Sequence, residues 1–297
     1  GMVANKGTDA GDQPDINPLQ SFTETSENPY LAVMWRALYD AIFRCNSIIA
    51  TINIAVGNGA ITQENADLYM KQAKVLRGWY HFQAWRMWEM IPYVDETTDP
   101  ATVTNTEDVR DKIIADLTVG TTLPINMGAI GKFNKTVSQV LLAKAMMQMN
   151  HDYSGALPIL EDVIANGKKP NGAAIGLAAT YPEIFDIPNR NGIESVYTVQ
   201  YSVNDGSGGA NGGYGEVLNF PYKGGGSPGG CCGFFQGTQE MVNSFRTVDG
   251  LPLLDYSYNL DPVKSDQGLV PADPFTPDAG ELDPRLELPE GVRGGAV

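Results

Sequence analysis

The stretch GKFNKTVSQVLLAKAMMQMNHDYSGALPILEDVIANG (131–167) decides the fold. Val137, Val140, Leu141, Ala145 and Gln148 recur at three and four residues, which predicts one face of a helix. Asn150-His151-Asp152 predicts a tight turn. Tyr153, Ala156, Leu157, Leu160, Val163 and Ile164 predict a second helix, ended by Gly167 as its C′ residue. Two short helices on a tight turn, with Ala where the backbones approach, make a tetratricopeptide-like hairpin. Such a unit buries its apolar stripe only against neighbours of the same kind, so further helices are expected beside it.

The upstream sequence supplies them. Trp35, Leu38, Tyr39, Ile42, Cys45, Asn46, Ile49 and Ile52 lie on one helical face, and Gly57 and Gly59 stop that helix. A second long helix is predicted from about Thr62 to Trp88, with Leu68, Ala73, Leu76, Trp79, Tyr80, Ala84, Trp85 and Trp88 as its apolar members. Pro92 closes it. All four Trp fall in this pair, which puts the largest packing anchors there. Thr106 is a candidate N-cap for a helix whose stripe is Val109, Ile113 and Leu117, with Glu107 and Asp108 suited to its positive end.

The fold expectation is therefore all-α. An α-α superhelix with tetratricopeptide-like hairpins spans 30–170, preceded by an extended or disordered leader over 1–29. Residues 171–297 are expected to be a loop-rich, ligand-binding region with minor β-structure. Within it Glu194–Ser202 alternates and reads as a strand, and a brief helix follows near Thr238–Phe245. Much of the chain's glycine, 33 residues in all, is gathered just after that strand among interleaved aromatics.

Composition narrows the function. The 297 residues are 42% hydrophobic and carry a net charge of −15, so they can bury a core but offer no basic face for nucleic acid or anionic lipid. No apolar run is long enough to span a membrane. With two His and three Cys, and no CxxC or HxxxH spacing, no metal site or cofactor is expected. Cys231 and Cys232 read as two small thiols rather than a strained vicinal bridge. Asp249, Asp255, Asp261 and Asp266, with Asn259, lack the EF-hand order and read as a solvated acidic loop. Gly1 before Met2 reads as the scar of a cleaved tag, so an export signal is expected to have been removed.

The order of motifs resembles the SusD/RagB family. WRALYDAIFRCNSIIATI (35–52) is similar to its opening helix, and AKVLRGWYHFQAWRMWEMIPYVDE (73–96) to its Ala-x-x-x-Arg, aromatic-rich helix with a Pro turn. IIADLTVGTTLP (113–124) resembles the Ile-x-x-Asp-Leu segment, and 131–167 the Ala-Lys helix, turn and following helix. The segments YPEIFD…NGIESVYTVQYS (181–202), MVNSFRTVDGLPL (241–253) and LDPRLEL (282–288) resemble later family motifs. The resemblance implies a non-enzymatic outer-membrane lipoprotein at the cell surface, anchored by a lipid missing from this sequence. It implies capture of glycans with a SusC-like TonB-dependent transporter as partner. It also implies that a C-terminal part present in family members is lacking here, which would leave apolar faces exposed.

Glycan binding without catalysis needs flat aromatic faces for sugar C–H groups and polar side chains for hydroxyls. The candidate carbohydrate-binding residues are Tyr214, Tyr222, Phe234 and Phe235, with Trp88 or Tyr93 on the adjoining loop, and Asn204, Asn211, Asn219 and Gln236 as nearby amides. The competing reading of each ring is that it pins a long loop to the helices. No catalytic residue is assigned: a glycoside hydrolase needs a carboxyl pair across a cleft, and none sits in a recognisable context. The remaining alternative is a helical-repeat scaffold that binds a protein.

Overall fold

In the computed structural model, residues 2–202, 205–206, 233–266, 268–270 and 272–286 are described. The chain divides into two compact units, Leu31–Gln200 and a second made of Gly1–Tyr30 with Tyr201–Val297.

The first unit is helical. Its helices are α2 (Pro29–Gly57), α3 (Gln63–Trp88), α4 (Arg110–Val119), α5 (Lys135–Asn150) and α6 (Tyr153–Asn166), after a short α1 (Ile16–Ser21) in the other unit. Along this unit α3 packs on α4, α4 on α5 and α5 on α6. The core takes Leu38 from α2, Val75, Phe82 and Ala84 from α3, Ile113 and Leu117 from α4, and Val137, Leu142, Ala145 and Met149 from α5. Each large side chain removed from water there contributes about 1.5–3 kcal/mol. The all-α expectation thus holds: regular β-structure among the described residues is one hairpin, β1 (Thr247–Val248) with β2 (Leu251–Pro252).

Helix ends follow local chemistry. The Thr62 hydroxyl accepts the Asn65 N–H at 3.3 Å and starts α3. The predicted turn at Asn150-His151-Asp152 forms, with His151 left-handed (φ 52°) and the Asp152 carboxylate accepting the Gly155 N–H at 2.8 Å. Asn134 is fully buried; it caps α5 through Val137 N–H and donates to the carbonyls of Ile125 and Lys168.

Three local expectations are corrected. Thr106 is not a cap: α4 begins at Arg110, and the Asp108 carboxylate accepts the Arg110 N–H at 3.0 Å. Gly167 ends α6 in an extended conformation (φ −61°, ψ 145°), so its role is space rather than a left-handed turn. A Cβ there would sit 2.4 Å from the Val163 carbonyl oxygen. Glu194–Ser202 forms no strand: among the described residues no segment pairs with it in a ladder. Its residues are held singly instead, as where Tyr197 packs on Phe133 with ring centroids 4.8 Å apart.

In the second unit, the stretch expected as a leader carries α1, and residues 3–8 run antiparallel to 233–238. Asn5 N–H donates to Gln236 O, Phe235 N–H to Lys6 O, and Thr238 N–H to Val3 O. The ribbon ends in a short helix, Gln239–Asn243, capped by Thr238. The hairpin then turns on Asp249-Gly250, both at positive φ, as a two-residue turn between right-twisted strands requires. Arg246 forks onto Asp278 at 3.0 and 3.1 Å, and Asp283 N–H donates to Phe245 O. The Phe-x-x-x-Asp-Gly and Asp-Pro-Arg-Leu segments are therefore bonded to each other.

Candidate functional site

Trp88 and Tyr93 lie in the first unit, at the end of α3 and in the segment after it. That segment leaves the helix at Glu89, whose backbone turns to φ 53° while its N–H still reaches the Trp85 carbonyl at 2.7 Å. Three side chains, two from α2 and one from α3, then fix its course. The Tyr39 hydroxyl donates to Pro92 O at 2.8 Å, Asn46 donates to Val94 O at 3.1 Å, and His81 Nε2 accepts the Val94 N–H at 3.0 Å. The last bond requires His81 to carry its proton on Nδ1, which lies 3.0 Å from the Arg77 carbonyl.

Beneath the segment is a buried charge cluster. Arg77 forks onto Asp116 at 2.7 and 2.8 Å and reaches Asn46 Oδ1 at 3.0 Å and the Glu96 carboxylate. Burial opposes the guanidinium charge, but the bonds and charge of Asp116 outweigh it and raise the Arg77 pKa further. The Tyr93 hydroxyl donates to Asp116 at 2.7 Å, and burial, followed by the Asp116 charge, pushes that hydroxyl well above the usual tyrosine range.

The rings form a ladder. Trp88 meets Trp35 edge-on at 5.0 Å, Trp35 stacks on Tyr39 at 4.4 Å, Tyr39 meets His81 edge-on at 6.2 Å, and His81 stacks on Tyr93 at 4.5 Å. The two sequence-predicted residues are thus the ends of one aromatic array. Both are half-buried. Tyr93 is held through hydroxyl and ring, so it offers a ligand only its remaining edge.

Phe234 and Phe235 lie in the second unit, on the ribbon with residues 3–8. Phe234 is buried and Phe235 is 44% exposed. Phe235 takes a left-handed backbone (φ 59°), which turns adjacent side chains to different surroundings. Lys6 stiffens the ribbon: it is buried, and its ammonium donates to the carbonyls of Asp9 and Asp12. Tyr214, Tyr222, Asn204, Asn211, Asn219, Cys231 and Cys232 lie outside the described residues.

Among the described residues, no three His, Cys, Asp or Glu side chains converge as a metal site. Of the acidic tail, Asp255 accepts from Ser257, and Asp261 lies 3.6 Å from Arg246. Cys45 is buried, and burial first of all pushes its thiol up to about 11, far from a reactive thiolate. No described helix is long and apolar enough to cross a membrane.

Sequence reasoning missed Asp116, His81 and Asn46 as determinants of the loop. The available signal was their polarity on otherwise apolar helix faces.

Residues 10–144 match the family model SusD-like_3, described as starch-binding associating with outer membrane. No curated protein matches the sequence. Among solved structures, surface glycan-binding protein A from Bacteroides thetaiotaomicron in complex with laminarihexaose is similar, with a TM-score of 0.57 and 22% identity. That match covers 67% of this chain and 41% of the other. Surface glycan-binding protein A from Bacteroides uniformis matches with a TM-score of 0.58 and 21% identity over 68% of this chain and 44% of the other. A laminarin-binding SusD-like protein matches with a TM-score of 0.59 and 20% identity, over 68% and 44%. The chain thus spans less than half the length of the structures it matches. Residues 10–144 are thus similar to the SusD-like_3 family model, and about two thirds of the chain shares the fold of these structures.

Proposed function

We propose that this chain is a cell-surface glycan-binding protein that captures oligo- or polysaccharides at the outer membrane. The observation that carries this reading is the SusD-like sequence over residues 10–144, whose family description is starch-binding associating with outer membrane. The likeness of fold to a surface glycan-binding protein in complex with laminarihexaose supports it. The captured chain passes to a SusC-like TonB-dependent transporter, and the protein performs no chemical step. A lipid anchor supplies its membrane attachment.

The mechanism is equilibrium binding. Sugar rings stack on exposed aromatic faces while hydroxyls bond to nearby polar groups. In the first unit Trp88 and the free edge of Tyr93 serve this role. In the second unit Phe235 presents its ring, while buried Phe234 supports it. Tyr214 and Tyr222 complete the proposed set. Shallow sites of this kind bind at about millimolar to micromolar Kd, roughly 4–8 kcal/mol, and a long polysaccharide gains further by avidity.

The test is calorimetry of the chain against a panel of starch, laminarin, xyloglucan, mannan and polygalacturonate, with reducing ends assayed in the same tubes. Binding without product is the expected result. Product release would replace the reading with a hydrolase, and no binding to any member would overturn it.

A further inference from the structure

A pocket of about 450 Å³ lies in the first unit, within residues 178–198, and among the described residues its lining includes none of those assigned above. Its size falls in the range of small-molecule sites, about 300–1,000 Å³. Its lining is rich in groups that bond hydroxyls: the carboxylates Glu183 and Glu194, the amides Asn189 and Asn191, Arg190, and the hydroxyls Ser195 and Thr198. Ile184 and Ile193 add apolar surface. The short helix Pro182–Phe185 carries Glu183 and Ile184, and its last residue, Phe185, forms an exposed aromatic pair with Tyr181, edge-on at 5.3 Å.

The wall is fixed before any ligand arrives. Lys169, just past α6, is buried, and its ammonium donates to the carbonyls of Asn191 (2.6 Å) and Gly192. Asn191 and Gln200 exchange two side-chain bonds at 3.0 Å. Gly176 N–H donates to Ile193 O at 3.1 Å, and Ala178 N–H donates to Glu194 Oε1 at 2.8 Å. Preorganised walls reduce the ordering cost of binding a polar ligand.

We infer that this pocket is a subsite for one end or branch of a neutral oligosaccharide, held by hydroxyl hydrogen bonds to Glu183, Asn189 and Arg190. The charge of the site sets the ligand class. Two carboxylates against one guanidinium, on a chain of net charge −15, disfavour uronates and sulfated sugars. Neutral hydroxyls satisfy carboxylate acceptors without repulsion. This inference rests on the glycan-binding reading above.

The test uses the full chain and the double variant Glu183→Ala/Arg190→Ala, which leaves net charge unchanged and alters two side chains outside the helical core. Laminarihexaose and xyloglucan oligosaccharides are the neutral probes, and oligogalacturonate is the acidic one. Neutral probes are expected to bind at least tenfold tighter than the acidic one. The double variant should lose at least tenfold in affinity with an unchanged melting temperature. Hydrogen exchange should show residues 183–198 protected by the neutral ligand. Affinity within twofold of the parent, without protection there, would overturn the pocket while the glycan-binding reading stands. Failure of the parent chain to bind any probe would overturn both. Tighter binding of oligogalacturonate would overturn the assignment of ligand class. Release of new reducing ends by the parent but not the variant would make the carboxylates catalytic and overturn the binding role.

Discussion

Asp116→Ala tests whether the buried charge cluster holds α3, α4 and the 89–99 segment together. The Arg77 and Asp116 side chains are 5% and 6% exposed, and their bidentate pair is supplemented by Tyr93. Removing the carboxylate leaves the guanidinium with only Asn46 and the partly exposed Glu96. Breaking a buried pair in this way costs about 3–5 kcal/mol, because the surviving charge stays out of water. The orphaned Tyr93 hydroxyl places the loss toward the upper end, since one hydrogen bond is worth about 1 kcal/mol. For a unit of this size the melting temperature should fall by roughly 6–20 °C. Asp40→Ala is the comparison: its pair with Arg44 has side chains 58% and 74% exposed, and its removal should leave the melt nearly unchanged.

The assay is urea and thermal unfolding followed by helical circular dichroism and by tryptophan fluorescence, all four Trp being in this unit. A second variant separates charge from packing. Arg77→Met/Asp116→Leu removes both charges and should cost less than Asp116→Ala alone, as apolar replacement of whole buried pairs does. A loss below about 1 kcal/mol in Asp116→Ala would refute the argument, because the Arg77 charge would then be reaching solvent. A double variant worse than either single would refute it as well.

Gly78→Ala should destabilise although alanine is the better helix former by about 1 kcal/mol. A Cβ at Gly78 would meet Asp116 Cβ at 2.9 Å and the Ile113 carbonyl at 3.2 Å, so α3 and α4 must part, at about 1–3 kcal/mol measured by urea unfolding. His81 makes stability fall with acid. Burial pushes its folded-state pKa down from 6.5 to about 3, so the unfolded chain takes up a proton that the native chain refuses. The stability that neutral His81 supplies is present above pH 6.5 and is lost as pH falls toward 3, at up to about 1.4 kcal/mol per unit. His81→Gln should flatten that limb of the stability–pH curve, and an unchanged slope would count against the assignment. Phe235→Ala should weaken binding of laminarin by about tenfold or less in calorimetry, with the melt unchanged. Affinity equal to the parent's would remove that ring from the platform.

The helices were legible because apolar periodicity is a local property. Thr62 sits where the sequence started a helix, and His151 and Asp152 where it placed a turn, since the bonds and backbone angles that set these ends act within three residues. Thr106 failed for an equally local reason: Asp108 lies nearer the first free N–H and reaches it first. The strand expected at 194–202 failed because a strand is defined by its partner, and alternation cannot supply one. Residues 1–29 read as a leader because their polarity carries no period. Their order comes instead from backbone bonds to residues more than 200 positions away, which no pattern records.

Motif resemblance and ligand choice are carried by different residues. Ala-x-x-x-Arg and Ile-x-x-Asp-Leu, read as separate signatures, meet as the Arg77–Asp116 pair across 39 residues of sequence. The two late segments likewise meet through Asp283 and Phe245. These residues are recognisable because they hold the scaffold, and burial leaves little freedom to change them. Residues that face a ligand answer to the ligand and not to the fold. Phe234 and Phe235, both proposed for a ligand, make the point, being neighbours of the same type. One is buried and one exposed, and the difference lies in a backbone angle set by a ribbon to the N-terminal segment. The lining of the 178–198 pocket follows the same logic. Its wall depends on Lys169 and Gln200, which do not line it, so its chemistry emerges only when those distant supports are placed. The sequence therefore predicts the helical frame, and the chemistry of the loops has to be sought in the contacts that hold them still.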